Sequence, residues 1–336
     1  MTTAQTRPRT WDLHGHVIPP GLLGEMRAGT AIDGVRTEER GGQEYVVHRQ
    51  GPTMPLVDGL HDMGARLTAM DEMGVDVSVL SLSPTLLMYW LDGQEAVDHA
   101  VRVNDEIAKM CRHDPDRLLG AAHVAMHDPD AAVAEVRRAT GELGLRGVQI
   151  APMVGDLTLD EEIYLPVLQA IEEAGVPLTL HPYFVGVGPR PGLGCHYLTN
   201  LVGHPYQTAV GASRLIMSGA LDRFPDLEVV LVHGGGYLPY QVGRLDHGNA
   251  VRAEARACQD KPSSYLRRFT FDTLTHSDAS LRFLIDLVGA DRVAYGTDWP
   301  YDMGGGSPEE QLGGAELTSE EDRLIRGANA ERLYAR

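Results

Sequence analysis

The chain has 336 residues, 43% of them hydrophobic, enough to bury a large core as one α/β barrel or as two ordinary domains. A formal charge of −18, from 29 Lys+Arg against 47 Asp+Glu, repels phosphate backbones and anionic lipid, so nucleic-acid and membrane partners are not expected. The opening residues Met1 to Arg9 are polar and lack a signal-peptide core, and no apolar run is long enough for a membrane helix. The expectation is a cytoplasmic protein.

In chain order, aliphatic runs alternate with stretches of helical period. Strands are predicted at Trp11–Val17, Val77–Ser81, Leu118–Val124, Gly147–Ile150, Pro177–His181, Glu228–His233, Phe269–Thr273 and Val293–Thr297. Helices are predicted between them, at Ala65–Met73, Glu95–Arg112, Asp130–Leu143, Asp160–Ala174, Tyr206–Leu221, Leu238–Glu254, Asp278–Val288 and Ser319–Leu333. Eight strand–helix units predict a (β/α)8 TIM barrel, read as a single metal-dependent domain over residues 1–336. An open doubly wound sheet would carry a glycine-rich turn after its first strand, where this chain has His-Val-Ile-Pro-Pro.

Two segments exceed ordinary βα loops. Residues 21–60 carry Glu44 to Arg49 behind Gly41-Gly42 and predict a small hairpin insertion over the barrel mouth. Tyr183 to His204 is rich in Gly and Pro, and Met303 to Pro308 is a third, flexible loop at the same mouth. Loops there form either walls of a substrate cavity or surface contacts. Tyr183, His196, Tyr197, Trp299 and Tyr301 flank the strand ends, where they would stack on a planar substrate or pack under the loops.

The chemistry is concentrated at those strand ends. His14-Gly15-His16 places two imidazoles on one side of a strand, and the same barrel face receives His181, His233 and Asp298. Imidazoles with a carboxylate suit one divalent cation, Zn2+ first, with Mn2+, Fe2+ or Co2+ also compatible. Five groups exceed what an open mononuclear site uses. His233, followed by Gly234-Gly235-Gly236, is the natural acid/base residue, its glycines either admitting a ligand or making a tight turn. Neither lysine, Lys109 or Lys261, falls on a predicted strand, which disfavours a carbamate-bridged metal pair. Cys111, Cys195 and Cys258 form no metal or redox motif.

Taken together, Asp12 to His16, Leu180-His181-Pro182, Val232 to Gly236 and Gly296 to Pro300 resemble the amidohydrolase superfamily. Within it they are similar to the branch of the aminocarboxymuconate semialdehyde decarboxylase-like proteins. The resemblance implies that His14, His16, His181 and Asp298 hold one metal, usually zinc, with His233 as acid/base residue. It implies a homodimer, with Arg244 reaching a substrate carboxylate across the interface, and Trp299 is the further substrate-contact candidate. Met54 stands where a second substrate arginine is expected, so one acid group fewer is implied, unless Arg49 or Arg190 replaces it from a loop. The expected activity is nonoxidative decarboxylation of a small unsaturated or aromatic carboxylic acid, with His233 moving the proton. A hydrolase acting on a lactone, amide or activated C–C bond, in which Asp298 or His233 manages the proton, and a non-catalytic metal-stabilised binding protein are the alternatives.

Overall fold

The structure is a computed structural model and describes residues 9–48, 53–183 and 192–335. Arg49 and Arg190 lie outside the described residues. Strand β1 (Trp11–Val17) is buried along its whole length and is followed by α1 (Pro20–Ala28). An antiparallel ribbon comes next, β2 (Arg36–Arg40), β3 (Gln43–Val47) and β4 (Thr53–Pro55). Its first turn is Gly41-Gly42, at φ 60° and 82°, a conformation that favours glycine. The hairpin therefore forms within the expected insertion and gains a third strand.

Helix α2 (Met63–Met73) starts where the Asp62 carboxylate accepts the Gly64 and Ala65 amides, and leads to β5 (Val77–Leu82). Helix α3 (Gly93–Cys111) buries Ala96, Ala100, Val103 and Ile107 at helical spacing before β6 (Leu118–Ala122). Then follow α4 (Pro129–Gly141), β7 (Gly147–Ile150), the small hairpin β8 (Met153–Val154) and β9 (Leu157–Thr158), α5 (Leu165–Ala174) and β10 (Leu178–Leu180). The remainder is α6 (His204–Met217), α7 (Ala220–Arg223), β11 (Val229–Leu231), α8 (Leu238–Val251), β12 (Phe269–Asp272), α9 (Asp278–Val288) and β13 (Val293–Ala294). Three short helices end the chain, α10 (Pro308–Leu312), α11 (Ser319–Arg323) and α12 (Asn329–Tyr334).

Eight strands pair in parallel in the order β1-β5-β6-β7-β10-β11-β12-β13. The Leu13 amide donates to Tyr295 O at 3.1 Å, Asp298 N to His14 O at 2.7 Å and His16 N to Trp299 O at 2.9 Å. These bonds close the sheet onto β1 and make the barrel. Opposite β5, the register of β1 shifts between Asp12 and Gly15, a bulge that interrupts the strand's simple alternation just at His14.

Several predicted boundaries move for local reasons. Pro166 is tolerated only in the first helical turn, so α5 begins at Leu165 rather than Asp160. Gly219, at φ 79°, divides the predicted helix 206–221 into α6 and α7. A π-helical turn at Leu324–Ala328 separates α11 from α12. The loop at Met303 to Pro308 is tied down, because Gly305 N donates to Thr297 O at 2.7 Å and Tyr295 Oη to Gly306 O at 2.8 Å. Lys109 sits on α3 and Lys261 pairs with Asp246 at 3.0 Å. No helix among the described residues is long and apolar enough to cross a membrane.

Candidate metal centre

The strand ends bring His14, His16, His181, His233 and Asp298 together. One ligand atom from each of His14, His181, His233 and Asp298 lies within 4.8 Å of every other. His16 joins them, its Nε2 lying 3.1 Å from His14 Nε2 and 2.9 Å from Asp298 Oδ1.

Hydrogen-bond accounting fixes the direction of three rings. His14 Nδ1 donates to Asp272 Oδ2 at 2.8 Å and His181 Nδ1 donates to Pro182 O at 2.8 Å, since neither oxygen carries a proton to give. Ser81 spends its single hydroxyl proton on Gly15 O at 3.0 Å, so its oxygen accepts from His16 Nδ1 at 3.1 Å. All three Nε2 atoms are therefore lone pairs, those of His14 and His16 lying 3.4 and 2.9 Å from Asp298 Oδ1 and a ring nitrogen of His181 within 4.8 Å of that carboxylate. His181 Nε2 and Asp298 Oδ1 are buried without a hydrogen-bond partner.

A buried carboxylate ringed by lone pairs is a repulsive arrangement that a cation relieves. Adjacent donors about 2.1 Å from one ion sit roughly 3.0–3.4 Å apart, depending on whether the angle is square or tetrahedral. The separations of 3.1 Å (His14 to His16), 2.9 Å (His16 to Asp298) and 3.4 Å (His14 to Asp298) match that spacing. The residues fit a single divalent metal. Burial opposes protonation of His14, yet Asp298 and Asp272 outweigh it and raise its pKa, so the two carboxylates draw positive charge to the cluster. Burial lowers His16 to about 4 and holds His181 well below the usual imidazole range, keeping both neutral as ligands require. Burial would raise the pKa of Asp298, but His14, His16 and His233, wherever they carry a proton toward it, overcome burial and hold the carboxyl well below its ordinary value, as a cation in the cluster would.

His233 differs from the other rings. Its Nδ1 is buried with no partner, its Nε2 lies 3.6 Å from Asp298 Oδ2, and its side chain is 17% exposed where those of His14 and His16 are 1% and 0%. Its backbone is left-handed at φ 56°, as is that of Asp298 at φ 54°, both uncommon outside glycine. The glycines after it serve the turn. A Cβ on Gly236 would stand 2.2 Å from Pro205 O, and one on Gly235 2.6 Å from the Phe271 ring.

Sequence reasoning missed the groups behind these rings. Asp272, fully buried at the end of β12, turns Oδ2 to His14 and accepts Gly234 N on Oδ1 at 2.7 Å, so one carboxylate supports both His14 and the His233 turn. Asp12 accepts His14 N at 3.0 Å and Thr297 N at 2.9 Å, joining β1 to the Asp298 segment. Arg66, also buried, donates to His16 O and lies 4.6 Å over the Trp299 ring. Trp299 lines neither cavity beside the site; it packs between Arg66 and Gly59.

Two cavities meet at His233 and Asp298. An inner chamber of about 250 Å³ is walled by Met54, Thr85, Tyr183, Tyr197 and Tyr301. A wider groove of about 600 Å³ runs past Pro205, Tyr237, Tyr240, Leu274 and Phe283. His204 borders both and stacks on His233 at 6.3 Å, a neighbour that its place at the start of a helix does not announce. Of the other aromatic candidates, His196 borders neither. Arg244 lies exposed on α8 and lines neither cavity.

An amidohydrolase family model matches residues 11–336. The chain is 34% identical over 246 residues to 2-amino-3-carboxymuconate-6-semialdehyde decarboxylase of Dictyostelium discoideum, covering 72% of this chain and 68% of that protein. It is 34% identical over 257 residues to gamma-resorcylate decarboxylase of a Rhizobium species, covering 70% and 76%. Among solved structures it resembles 5-carboxyvanillate decarboxylase of Novosphingobium aromaticivorans complexed with manganese and 4-hydroxy-3-methoxy-5-nitrobenzoic acid. That match has a TM-score of 0.82 at 25% identity and covers 100% of this chain and 98% of the other.

Proposed function

Because the chain belongs to the amidohydrolase family, we propose that its site is that of a metal-dependent decarboxylase, removing carbon dioxide without an oxidant from a small aromatic or unsaturated carboxylic acid. The observation that carries the division of labour is the unpartnered Nδ1 of His233 beside three rings whose second nitrogens are engaged. Imidazole ligands of metals nearly always give their other N–H to an acceptor, which suits His14, His16 and His181 as ligands together with Asp298. His233, facing the cavity without such a brace, is the acid/base residue.

When bound, a divalent cation supplies positive charge that holds and polarises substrate oxygens. His233 gives its ring proton to the carbon that bears the carboxylate. The bond from that carbon to the carboxylate carbon then breaks, its electron pair restores the conjugated system, and neutral carbon dioxide departs. His233, now neutral, regains a proton from water. One carboxylate and one proton are consumed, and one C–H bond and one carbon dioxide are formed. The aromatic and thioether side chains of the inner chamber give it a largely apolar lining, which favours the loss of charge.

Zinc suits three imidazoles and a carboxylate, and we propose it as the resident ion, with manganese, the ion of the Novosphingobium relative, as its rival. We further propose a homodimer across the face that exposes Tyr240 and Phe283, with Arg244 serving the partner's substrate. Tyr240 and Arg244 lie one turn apart on α8, and among the described residues Arg244 has no ion-pair partner.

Carbon dioxide release from a panel of hydroxybenzoates, with metal analysis of each variant, tests the scheme. His233→Ala should lower turnover by about 10²–10⁴-fold with one metal per chain retained, whereas His16→Ala should lose the metal. Loss of metal from His233→Ala would make that ring a ligand and overturn the assignment.

A further inference from the structure

The stretch of β1 that carries His14 and His16 is built around a buried cation. Arg66, on α2, is the single buried lysine or arginine among the described residues. Its guanidinium donates to His16 O, to Gly59 O at 3.3 Å and to Ser78 Oγ at 3.4 Å, and covers the Trp299 ring at 4.6 Å. None of these partners carries a charge. The Ser78 hydroxyl in turn points to Asp12 Oδ2 at 3.5 Å. A Cβ on Gly15 would stand 3.1 Å from both Arg66 Nη1 and Ser78 Oγ, and 3.4 Å from Asp12 Oδ2. The glycine between the two histidines therefore leaves the notch in which the cation sits.

A buried guanidinium with neutral partners is costly, and it does not shed its proton. Its compensation lies in the charge of the whole cluster. Four acidic residues are buried among the described residues. Glu135, on α4, is ion-paired with Arg138 at 2.8 Å, and the other three, Asp12, Asp272 and Asp298, stand around His14 and His16. Asp12 accepts the His14 and Thr297 amides and the Thr297 hydroxyl, the last at 2.7 Å. Asp272 accepts His14 Nδ1 and the Gly234 and Leu274 amides, so both are met by donors as carboxylates are. Three carboxylates less one guanidinium leave two negative charges, which is what one divalent ion cancels when the ligating rings are neutral.

We infer that Arg66 sets the charge of the metal centre: it offsets one of the three buried carboxylates, so that a single divalent ion leaves the centre neutral and an incoming substrate carboxylate meets no net negative charge. Arg66 lines neither cavity, so it is a positioning residue that acts on the ion through its field and does not touch substrate. The inference rests on the reading of the cluster as a divalent-metal site and is independent of the reaction carried out there.

The test is the Fe3+/Fe2+ potential of the iron-loaded protein, which needs no turnover. By Coulomb's law, at an effective dielectric constant of about 20 and a separation of roughly 10 Å, one unit charge changes the relative affinity for Fe3+ and Fe2+ about 10-fold. That factor is about 59 mV for a one-electron couple. Arg66→Met, which removes the charge at similar length, should favour Fe3+ by about that factor, and Arg66→Lys, which keeps the charge, should stay within twofold of the parent. Asp12→Asn should favour Fe2+ by a similar factor, and the Asp12→Asn, Arg66→Met double variant should return to the parent ratio. Where Arg66→Met alone does not fold, Asp12→Asn and the double variant decide the matter by the same signs. Arg66→Met and Arg66→Lys shifting alike, an unchanged potential in Arg66→Met, or a double variant that keeps the Asp12→Asn shift, overturns the charge role and leaves Arg66 as a structural tie. Parent protein that takes up no divalent ion defeats the metal-centre reading instead.

Discussion

Asp272→Asn is the most direct probe of how the cluster is held. The change keeps size and shape but replaces one acceptor by a donor. If the amide nitrogen faces His14, two donors meet across 2.8 Å, and His14 must move its proton to Nε2, which removes the lone pair aimed at the cluster. If the amide turns the other way, its NH2 faces the Gly234 and Leu274 amides, which now reach Oδ1 at 2.7 and 3.2 Å. That leaves buried donors unpaired at about 1–3 kcal/mol. Either orientation weakens the site. Loss of a carboxylate behind a ligating histidine typically costs 10–100-fold in metal affinity, or about 1.4–2.7 kcal/mol, and that range is expected here. Competition against a chelator-buffered zinc series measures it without a substrate. An Asp272→Asn protein that folds normally and holds zinc within twofold of the parent would refute both the tautomer assignment and the claim that the three braced rings are the ligands.

Other consequences follow from the same geometry. Chelation should destabilise the protein, by about 4 kcal/mol relative to protein with free metal at a thousand times its dissociation constant, read as a fall in melting temperature that zinc reverses. Gly59→Ala would put a Cβ 1.9 Å from the edge of the Trp299 ring, over whose face Arg66 lies at 4.6 Å, so a loss of roughly 1–3 kcal/mol is expected in urea unfolding. His99 lies far from the cluster in sequence and gives a pH prediction. Burial lowers its pKa to about 4, against a small opposing effect of the Leu86 carbonyl at 3.0 Å. The unfolded chain binds that proton near the ordinary imidazole value of 6.5 and the folded chain only near 4, so the contribution is complete above about 6.5 and is lost as pH falls toward 4. His99→Gln should flatten the acid limb of the stability profile by about 3 kcal/mol, and an unchanged limb would show that His99 is not buried as a neutral ring.

The barrel was legible because each strand is a short apolar run between stretches of helical period, a signal that does not depend on neighbours. Strands β1 and β7 have the predicted ends. Where boundaries failed, a residue with a backbone requirement intervened, Pro166 at the start of α5 and Gly219 between α6 and α7. The predicted strands that ended on His181 and His233 stop at Leu180 and Leu231, because the residues that serve the site have left the regular ladder. The ribbon is different. Its turn is plain in Gly41-Gly42, but nothing local says that β4 delivers Met54 to the wall beside Tyr301.

The candidate ligands were legible for the same reason as the strands, since a histidine at a strand's carboxyl end lies on the barrel's functional face whatever else happens. The sequence also offered His233 as the acid/base residue, but the groups that hold the other rings were not legible. Asp272 closes the run Phe269-Thr270-Phe271 and reads as the polar end of a strand, and its partner His14 is 258 residues away on β1. That contact exists only because β13 lies between β12 and β1, and the closing bonds from Leu13 and Asp298 set the spacing. The histidines are chemically identical in the sequence and differ by what stands behind each ring: a carboxylate for His14, a hydroxyl for His16, a carbonyl for His181 and nothing for His233. A ring with an acceptor behind it has its proton fixed and its lone pair committed. In the proposed scheme the distinction between ligand and acid/base residue rests on these partners, which the closed barrel supplies, rather than on residue type.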